Sequence, residues 1–529
     1  VTADRPEWLA TPRDGTLHAD IVVIGTGMGG SAAAWALRDA GADVLLIERG
    51  GFLPREDQNW SAPDVFLAGR YKNAEDWYDT ATGAPFKPGV HYYVGGNTKV
   101  YGASLPRFRE EDFAAIRHAE GISPAWAFGY ADIEPFYGLA EQMLGVHGTP
   151  GEDPTEPRRS TPYPQPALEH EPVVRDLADS MRGAGLHPFR MPMGVDYGPG
   201  GTCIRCGTCD GFPCKVGAKS DGEIRGVRPA LSAGNVRLLT HAKVTRLLTD
   251  SAGRTVTSAV ADTPDGTVTV TATHFILAAG AVNSTVLLLQ SASARHPDGL
   301  GNSSGQLGRN YMVHNSTFLV GLDPRRRNKV RFQKTLGLND WYLDSPSGFP
   351  LGNIQMLGKL QGAMMKPARP HIPRPLLDLA GRYTIDVYLT TEDLPDPANR
   401  VTLDAKGRIS VRWKPNNLSP HRTLLTNARK LLRDAGYPIT IAERMSIATN
   451  SHMCGTAKMG DDPGDSVLDP GGKAHDLSNL WLTDSSGFGS SAALNPGLTI
   501  AANTLRVIAQ AGLARTGLDV SSSRTTTAS

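Results

Sequence analysis

Two short blocks near the end of the chain carry residue types suited to moving a proton. His452 lies in Ser451-His452-Met453-Cys454-Gly455-Thr456, and 39 residues after it begins Ser491-Ala492-Ala493-Leu494-Asn495-Pro496-Gly497-Leu498-Thr499. A neutral imidazole, with an ordinary pKa near ~6.5, can accept a hydroxyl proton around neutral pH. A carboxamide N–H can steady the alkoxide that develops without competing for that proton. Because an alkoxide expels hydride far more readily than a neutral alcohol, the pair suggests alcohol oxidation, provided that something accepts the hydride. Each residue alone has a plainer use. His452 could be a turn histidine bonded to backbone, and Asn495 could be a helix cap. Asn495 at N-cap with Pro496 at the first helical position predicts a helix through Leu498, Ala501, Ala502 and Leu505. The positive end of its dipole would favour nearby negative charge by roughly 0.3–1 kcal/mol.

The elements that must position this pair begin at the other end of the chain. Ile21 to Ile24 is an apolar run fit for a buried parallel strand, Ser31 to Ala40 is Ala-rich and helical, and Val44 to Ile47 is a second strand ending at Glu48. Between the first strand and the helix, Gly25, Gly27 and Gly30 fit G-x-G-x-x-G. The first permits the tight turn, the second lets backbone approach a pyrophosphate, and the third allows close helix packing. Phosphate would meet the helix N-terminus, and Glu48, 23 residues after Gly25, could accept hydrogen bonds from ribose hydroxyls. The motif does not choose between NAD and FAD.

Composition narrows the function classes. Lys plus Arg number 54 against 53 for Asp plus Glu, which leaves no field to gather nucleic acid or an anionic membrane and points to a small neutral substrate. No run of about 18 apolar residues suggests a spanning helix. Val1 to Asp20 lacks the zones of a signal peptide, so cytoplasmic is the default expectation. Residues 51–90 form an aromatic, aperiodic excursion that could be a covering flap or a lid. Pro150 to Pro172 and Met364 to Leu376 look like Pro-rich connections, the second either a linker or a mobile loop near a pocket. Val401 to Leu403 and Ile409 to Trp413 predict a hairpin of a second, antiparallel sheet. Residues 516–529 are expected to be a disordered tail.

In order along the chain, these blocks resemble the glucose–methanol–choline (GMC) flavoprotein oxidoreductases. The match runs from Ala19 to about Gly512, through the glycine triplet with Glu48, Gly95-Gly96-Asn97-Thr98 leading to Tyr101-Gly102-Ala103, and Ala278-Ala279-Gly280-Ala281. It continues through His452-x-x-Gly455-Thr456-x-x-Met459-Gly460, Asn479-Leu480-Trp481-Leu482-Thr483-Asp484-Ser485 and Asn495-Pro496-Gly497-Leu498-Thr499. The resemblance implies FAD and an α/β fold. A Rossmann-like FAD-binding domain (15–115, 200–310, 450–515) would interleave with an antiparallel-sheet substrate domain (116–199, 311–449). It implies cofactor contacts from Gly25, Gly27, Met28, Gly30, Glu48, Arg49 and the stretch Val100, Tyr101, Gly102, Ala103. Val244 would meet adenine through its backbone, Asp484 would hold the ribityl–pyrophosphate region with Ala279 and Gly280, and Gly95, Gly96 and Asn97 would pass beside the isoalloxazine. Asn495, Pro496 and Thr499 complete that set. His452 is then the general base, with hydride passing to flavin N5.

Leu105-Pro106-Arg107-Phe108 and Phe332-Gln333-Lys334-Thr335-Leu336-Gly337 look most like pyranose oxidases and bacterial glycoside 3-oxidases. That likeness implies oxidation of a C2 or C3 hydroxyl of a sugar or of an O- or C-glycoside, with oxygen or a quinone as electron acceptor. Gln333 and Gln355 are candidate substrate contacts, since amides both donate and accept. Where fungal pyranose 2-oxidases attach flavin through a histidine, Val100 stands here, so the resemblance implies noncovalent FAD.

Cys203-x-x-Cys206-x-x-Cys209-x-x-x-x-Cys214 invites other readings. Such thiols could ligate an iron–sulfur cluster, although the last gap breaks the bacterial ferredoxin spacing; they could bind zinc, pair as a disulfide, or simply pack. No metal is assigned. A cluster would make the chain an electron-relaying dehydrogenase, and some relatives of this fold are lyases that leave the flavin idle.

Overall fold

The computed structural model describes residues 6–514, so the tail expected at 516–529 lies outside the described residues. The strand Thr16–Ile24 alternates exposed and buried at its start and is wholly buried over Val22 to Ile24, as a central strand covered on both faces must be. It pairs in parallel with Val44–Ile47 on one side and with Gly266–Leu277 on the other. Val236–Leu239 extends the sheet beyond Val44–Ile47, and Leu480–Leu482 adds in parallel to Gly266–Leu277. Lys243–Thr249 and Val256–Thr263 complete it as antiparallel strands. One sheet thus draws on three distant stretches of chain. The helices Met28–Leu37 and Gly497–Gln510 pack against one another, and residues of both enter the sheet's apolar core.

A second, six-stranded sheet is antiparallel throughout, in the order Ile439–Arg444, Asn315–Leu322, Thr384–Thr391, Asn353–Met356, Leu336–Leu338, Phe189–Arg190. Its period-2 alternation sends Ile354, Met356, Ile385, Val387 and Leu389 into a core with the helices Pro172–Gly183 and Leu418–Asp434. Gln355, Tyr388 and Thr390 occupy the opposite parity, and Thr390 Oγ1 donates to the Ala493 carbonyl, 2.7 Å away. That face of the sheet therefore meets the segment leading to Asn495.

Three local expectations change. The hairpin Arg400–Leu403 with Ile409–Arg412 forms, but it joins Trp77–Asp79 and Pro85–Phe86 in a separate four-stranded sheet, because Trp77 is buried against Val401 and Val411. This also anchors the distal part of the 51–90 excursion. The Met364 to Leu376 connection contains structure, the short helices Gly362–Met365 and Arg374–Gly381, held by a hydrogen bond from the Gly362 N–H to Asp378. The last helix starts at Gly497, with Pro496 rather than Asn495 as its cap residue, which frees the Asn495 side chain for another partner.

The Pro106-Arg107-Phe108 block is a structural pillar. Arg107 is buried and makes two hydrogen bonds to Glu141, at 2.8 and 2.9 Å, on the helix Tyr130–Leu144, which packs on Gly497–Gln510. Arg159 donates to the same carboxylate. Removing one member of a buried ion group leaves uncompensated charge, so Glu141→Ala should destabilise the protein by about 3–5 kcal/mol. Chemical denaturation of the FAD-loaded protein checks this, and an unchanged midpoint would contradict the pillar.

Candidate active site

Backbone approach makes the nucleotide half of the site. A Cβ on Gly30 would sit 1.9 Å from the Gly25 carbonyl oxygen, which forces the helix close against the turn. A Cβ on Gly27 would meet nothing within 4 Å, so the space in front of the first helical turn is open. Gly27 caps Met28–Leu37 without a side-chain hydrogen bond, and no acidic residue occupies the first turn. The leading N–H groups and the positive dipole end are thus left for an anion. Gly96 backs onto Gly27 on another side, where a Cβ would lie 3.0 Å from Gly27 Cα, and Met28 is buried. Gly29 presses on the Thr483 carbonyl in the same way that Gly30 presses on Gly25, a contact that the motif does not announce.

Glu48 ends its strand with Oε2 accepting from Thr26 N–H and Oγ1 and Oε1 accepting from Gly50 N–H. Burial raises its pKa against those donors. Lone pairs remain for ribose hydroxyls. Ala242 N–H bonds the Glu48 carbonyl, which brings Val244 and the start of its strand beside this residue. Asp484 accepts from Gly280 N–H, Ser284 Oγ and Ser486 N–H, and burial again raises its pKa. Ser284 Oγ also accepts from Ala279 N–H.

Other residues of the expected set are committed to supporting contacts. Arg49 pairs with Glu75 and lies 3.5 Å from the centre of the Tyr92 ring. The Asn97 side chain bridges His91 N–H and the Gly89 carbonyl, Tyr101 OH donates to the Ser220 carbonyl, and Thr499 Oγ1 meets Tyr137 OH at 2.7 Å. Lys334 pairs with Asp210 and caps the Gly102 carbonyl, while the Ala103 carbonyl accepts from Gly194 N–H.

The cysteine loop buttresses the same segment. Gly211 N–H donates to the Val100 carbonyl, and Lys219 bonds the carbonyls of Cys209 and Phe212. Cys203, Cys206, Cys209 and Cys214 are free, half-buried thiols. Burial pushes the Cys203 thiol up to about 11, so it stays protonated at neutral pH. Among the described residues, no three His, Cys, Asp or Glu side chains are gathered as metal ligands.

The chemical half forms where the second sheet meets the C-terminal loops. Met312 and Cys454 exchange both backbone hydrogen bonds in an antiparallel bridge, so the residues two steps on, His314 and His452, come face to face with Nδ1 to Nδ1 3.3 Å apart. Asn495 Oδ1 accepts from Gln355 Nε2 at 2.8 Å, which turns the Asn495 amide N–H outward. Gln355 thus holds Asn495 rather than standing free. Gln333 departs from its expected place on a substrate wall. It is fully buried and donates to Asp386, which Lys359 also holds, because that buried carboxylate needs donors more than a pocket needs an amide. Missing from the sequence reading is His314, along with Asp393, which accepts from the N–H groups of Val313 and His314, from Ser491 Oγ and from Trp413 Nε1.

A glycine-lined nucleotide cradle joined to an imidazole and a carboxamide defines a nucleotide-cofactor oxidoreductase. Comparison with known proteins gives the family. Two profiles described as GMC oxidoreductase match residues 90–316 and 395–504, and one for an NAD(P)-binding Rossmann-like domain matches 23–53. Paromamine 6'-oxidase of Streptomyces fradiae is 30% identical, with 95% of this chain and 93% of that protein covered. The fructose dehydrogenase large subunit of Gluconobacter japonicus is 27% identical over 92% of this chain and 94% of that one. Pyridoxine 4-oxidase from Mesorbium loti shares the fold at a TM-score of 0.64 and 19% identity, covering 93% of this chain and 98% of that one. The chain belongs to the GMC oxidoreductases, FAD enzymes that act on CH–OH donors. The open, anion-favouring cradle fits that cofactor. No helix among the described residues is long and apolar enough to cross a membrane.

Gly30→Val should yield protein that purifies with little or no FAD, because the new side chain must displace backbone; a full flavin complement would contradict the packing role. Burial, with His314 beside it, pushes the His452 pKa down to about 3. The proton-accepting form of His452 is therefore present above that value and lost only as pH falls towards it. Anaerobic flavin reduction should show no inflection near the ordinary value of ~6.5. A half-loss of rate there would contradict this electrostatic picture.

Proposed function

We propose that this chain oxidises a ring hydroxyl, at C2 or C3, of a pyranose sugar or its O- or C-glycoside to a ketone. FAD, when bound, supplies the two-electron acceptor for the hydride. His452 takes the hydroxyl proton on its outward nitrogen, and Asn495, its carbonyl engaged by Gln355, offers an N–H to the oxygen as charge develops. The observations that carry the reading are a half-buried imidazole, His452, facing His314 and a carboxamide, Asn495, oriented by Gln355 of the antiparallel sheet. The sugar class is supported by relatives named for paromamine and fructose over nearly the whole chain. Val100 offers no nucleophile, which supports noncovalent FAD, and oxygen or a quinone would return the flavin to its oxidised form.

A second reading has one observation in its favour. The two relatives at 30% identity are named as a 6'-oxidase and a 6'''-hydroxyparomomycin C oxidase, which points to an exocyclic hydroxyl of an aminoglycoside-like sugar.

An anaerobic screen of D-glucose, methyl and phenyl glucosides, a C-glycoside and paromamine, followed by NMR of the products, separates the two. A 2- or 3-keto product supports the first reading and a 6-aldehyde the second; flavin unbleached by every sugar would overturn both. With the best sugar, His452→Ala should keep FAD but slow flavin reduction at least about a hundredfold, as loss of a general base does. Full turnover in that variant would remove His452 from the chemistry.

A further inference from the structure

His314 is fully buried, lies 138 residues from His452 in sequence, and makes two side-chain hydrogen bonds. Its Nε2 is 2.7 Å from the Ser491 carbonyl oxygen, and its Nδ1 is 3.3 Å from His452 Nδ1. We infer that His314 is a positioning residue that sets the tautomer of His452, so that the base presents an unprotonated Nε2 to the substrate hydroxyl; this rests on His452 as the base.

Hydrogen-bond polarity carries the argument. A carbonyl oxygen can only accept, so His314 Nε2 must carry a proton. A neutral imidazole has one N–H, so His314 Nδ1 is a lone pair and can only accept from His452. His452 Nδ1 is then the protonated nitrogen, and its Nε2 is left basic. His314 is kept neutral by its burial, which outweighs the pull of the nearby Asp393 and Glu392 charges, and Asp393 bonds its backbone N–H rather than its ring. Had a carboxamide or hydroxyl stood at Ser491 O, the chain of donors could run either way; a carbonyl fixes its direction.

The same polarity excludes a relay through His314. Once His452 has accepted a proton on Nε2, its Nδ1–H still points at His314, whose far nitrogen is bonded to a carbonyl that cannot take a proton onward. A proton shared with His314 could go no further, so it must leave through His452 on the substrate side.

His314 has φ +68°, in the left-handed region where asparagine is among the best-tolerated non-glycine residues. Asparagine also places Oδ1 the same number of bonds from the backbone as Nδ1, so His314→Asn can restore an acceptor for His452, whereas His314→Ala cannot. The test is nitrogen NMR of FAD-loaded protein with isotopically labelled histidine, the His452 signals being assigned by their loss in His452→Gln. In the unmodified protein and in His314→Asn, His452 should be protonated at Nδ1. In His314→Ala, Nε2–H should appear, and flavin reduction by the fastest sugar of the screen should fall at least about tenfold, recovering to within about threefold in His314→Asn. An unmodified His452 protonated at Nε2, or equal impairment by alanine and asparagine, would overturn the inference. The tautomer needs no substrate. If His452 is Nδ1-protonated while no sugar bleaches the flavin, the substrate reading falls and this one stands.

Discussion

Much of the site hangs on one buried carboxylate. Asp393 follows the strand Thr384–Thr391 and accepts from the backbone N–H groups of Val313 and His314, the Ser491 hydroxyl and the Trp413 indole. Burial raises its pKa above the ordinary carboxylate value, and these donors oppose that rise. A buried carboxylate is costly unless its lone pairs are filled, so each donor is drawn to one point. The segment before Asn315–Leu322, the Trp413 hairpin and the loop running to Asn495 therefore cannot move independently. His314, which faces His452, and the Ser491 loop that leads to Asn495 are thereby tied to one charge.

The cofactor half obeys a different constraint. There the requirement is that backbone come close to a ligand and to itself, and side chains are an obstruction. Gly30 against the Gly25 carbonyl and Gly29 against the Thr483 carbonyl leave no room for a methyl group, while Gly27 faces open space. Leu480–Leu482 adds to the nucleotide sheet and leads into Asp484, and the helix Gly497–Gln510 packs on Met28–Leu37. The polypeptide that carries His452 and Asn495 is thus built into the same core as the cradle, which couples cofactor placement to the chemistry.

Much of this was legible because it is local. A strand, a glycine triplet, a helix and Glu48 fall within one short stretch whose spacing has a physical meaning, and the His452 and Asn495 blocks keep their chemistry on consecutive residues. What was not legible depends on long-range register. Nothing near His314 marks it, since its partner is brought opposite by the Met312 to Cys454 bridge and its φ cannot be read from residue type. Gln333 and Gln355 are the same side chain in sequence; strand parity and the demand of Asp386 for donors assign one to structure and the other to Asn495. The hairpin Arg400–Leu403 with Ile409–Arg412 was evident, but its sheet partner was decided by the burial of Trp77 far upstream. At the last helix the motif was right and the cap one residue early, because the Asn495 amide is engaged by Gln355.

The central claim is geometric: His452 and Asn495 address one hydroxyl-bearing carbon beside a bound isoalloxazine. A crystal structure of the FAD-loaded protein with an unreactive sugar analogue tests it most directly. The account predicts His452 Nε2 and the Asn495 amide nitrogen both within hydrogen-bonding distance of a single sugar oxygen, on the side of the ring that carries N5. Either side chain directed away from that oxygen, or the two placed on opposite sides of the flavin, would contradict it.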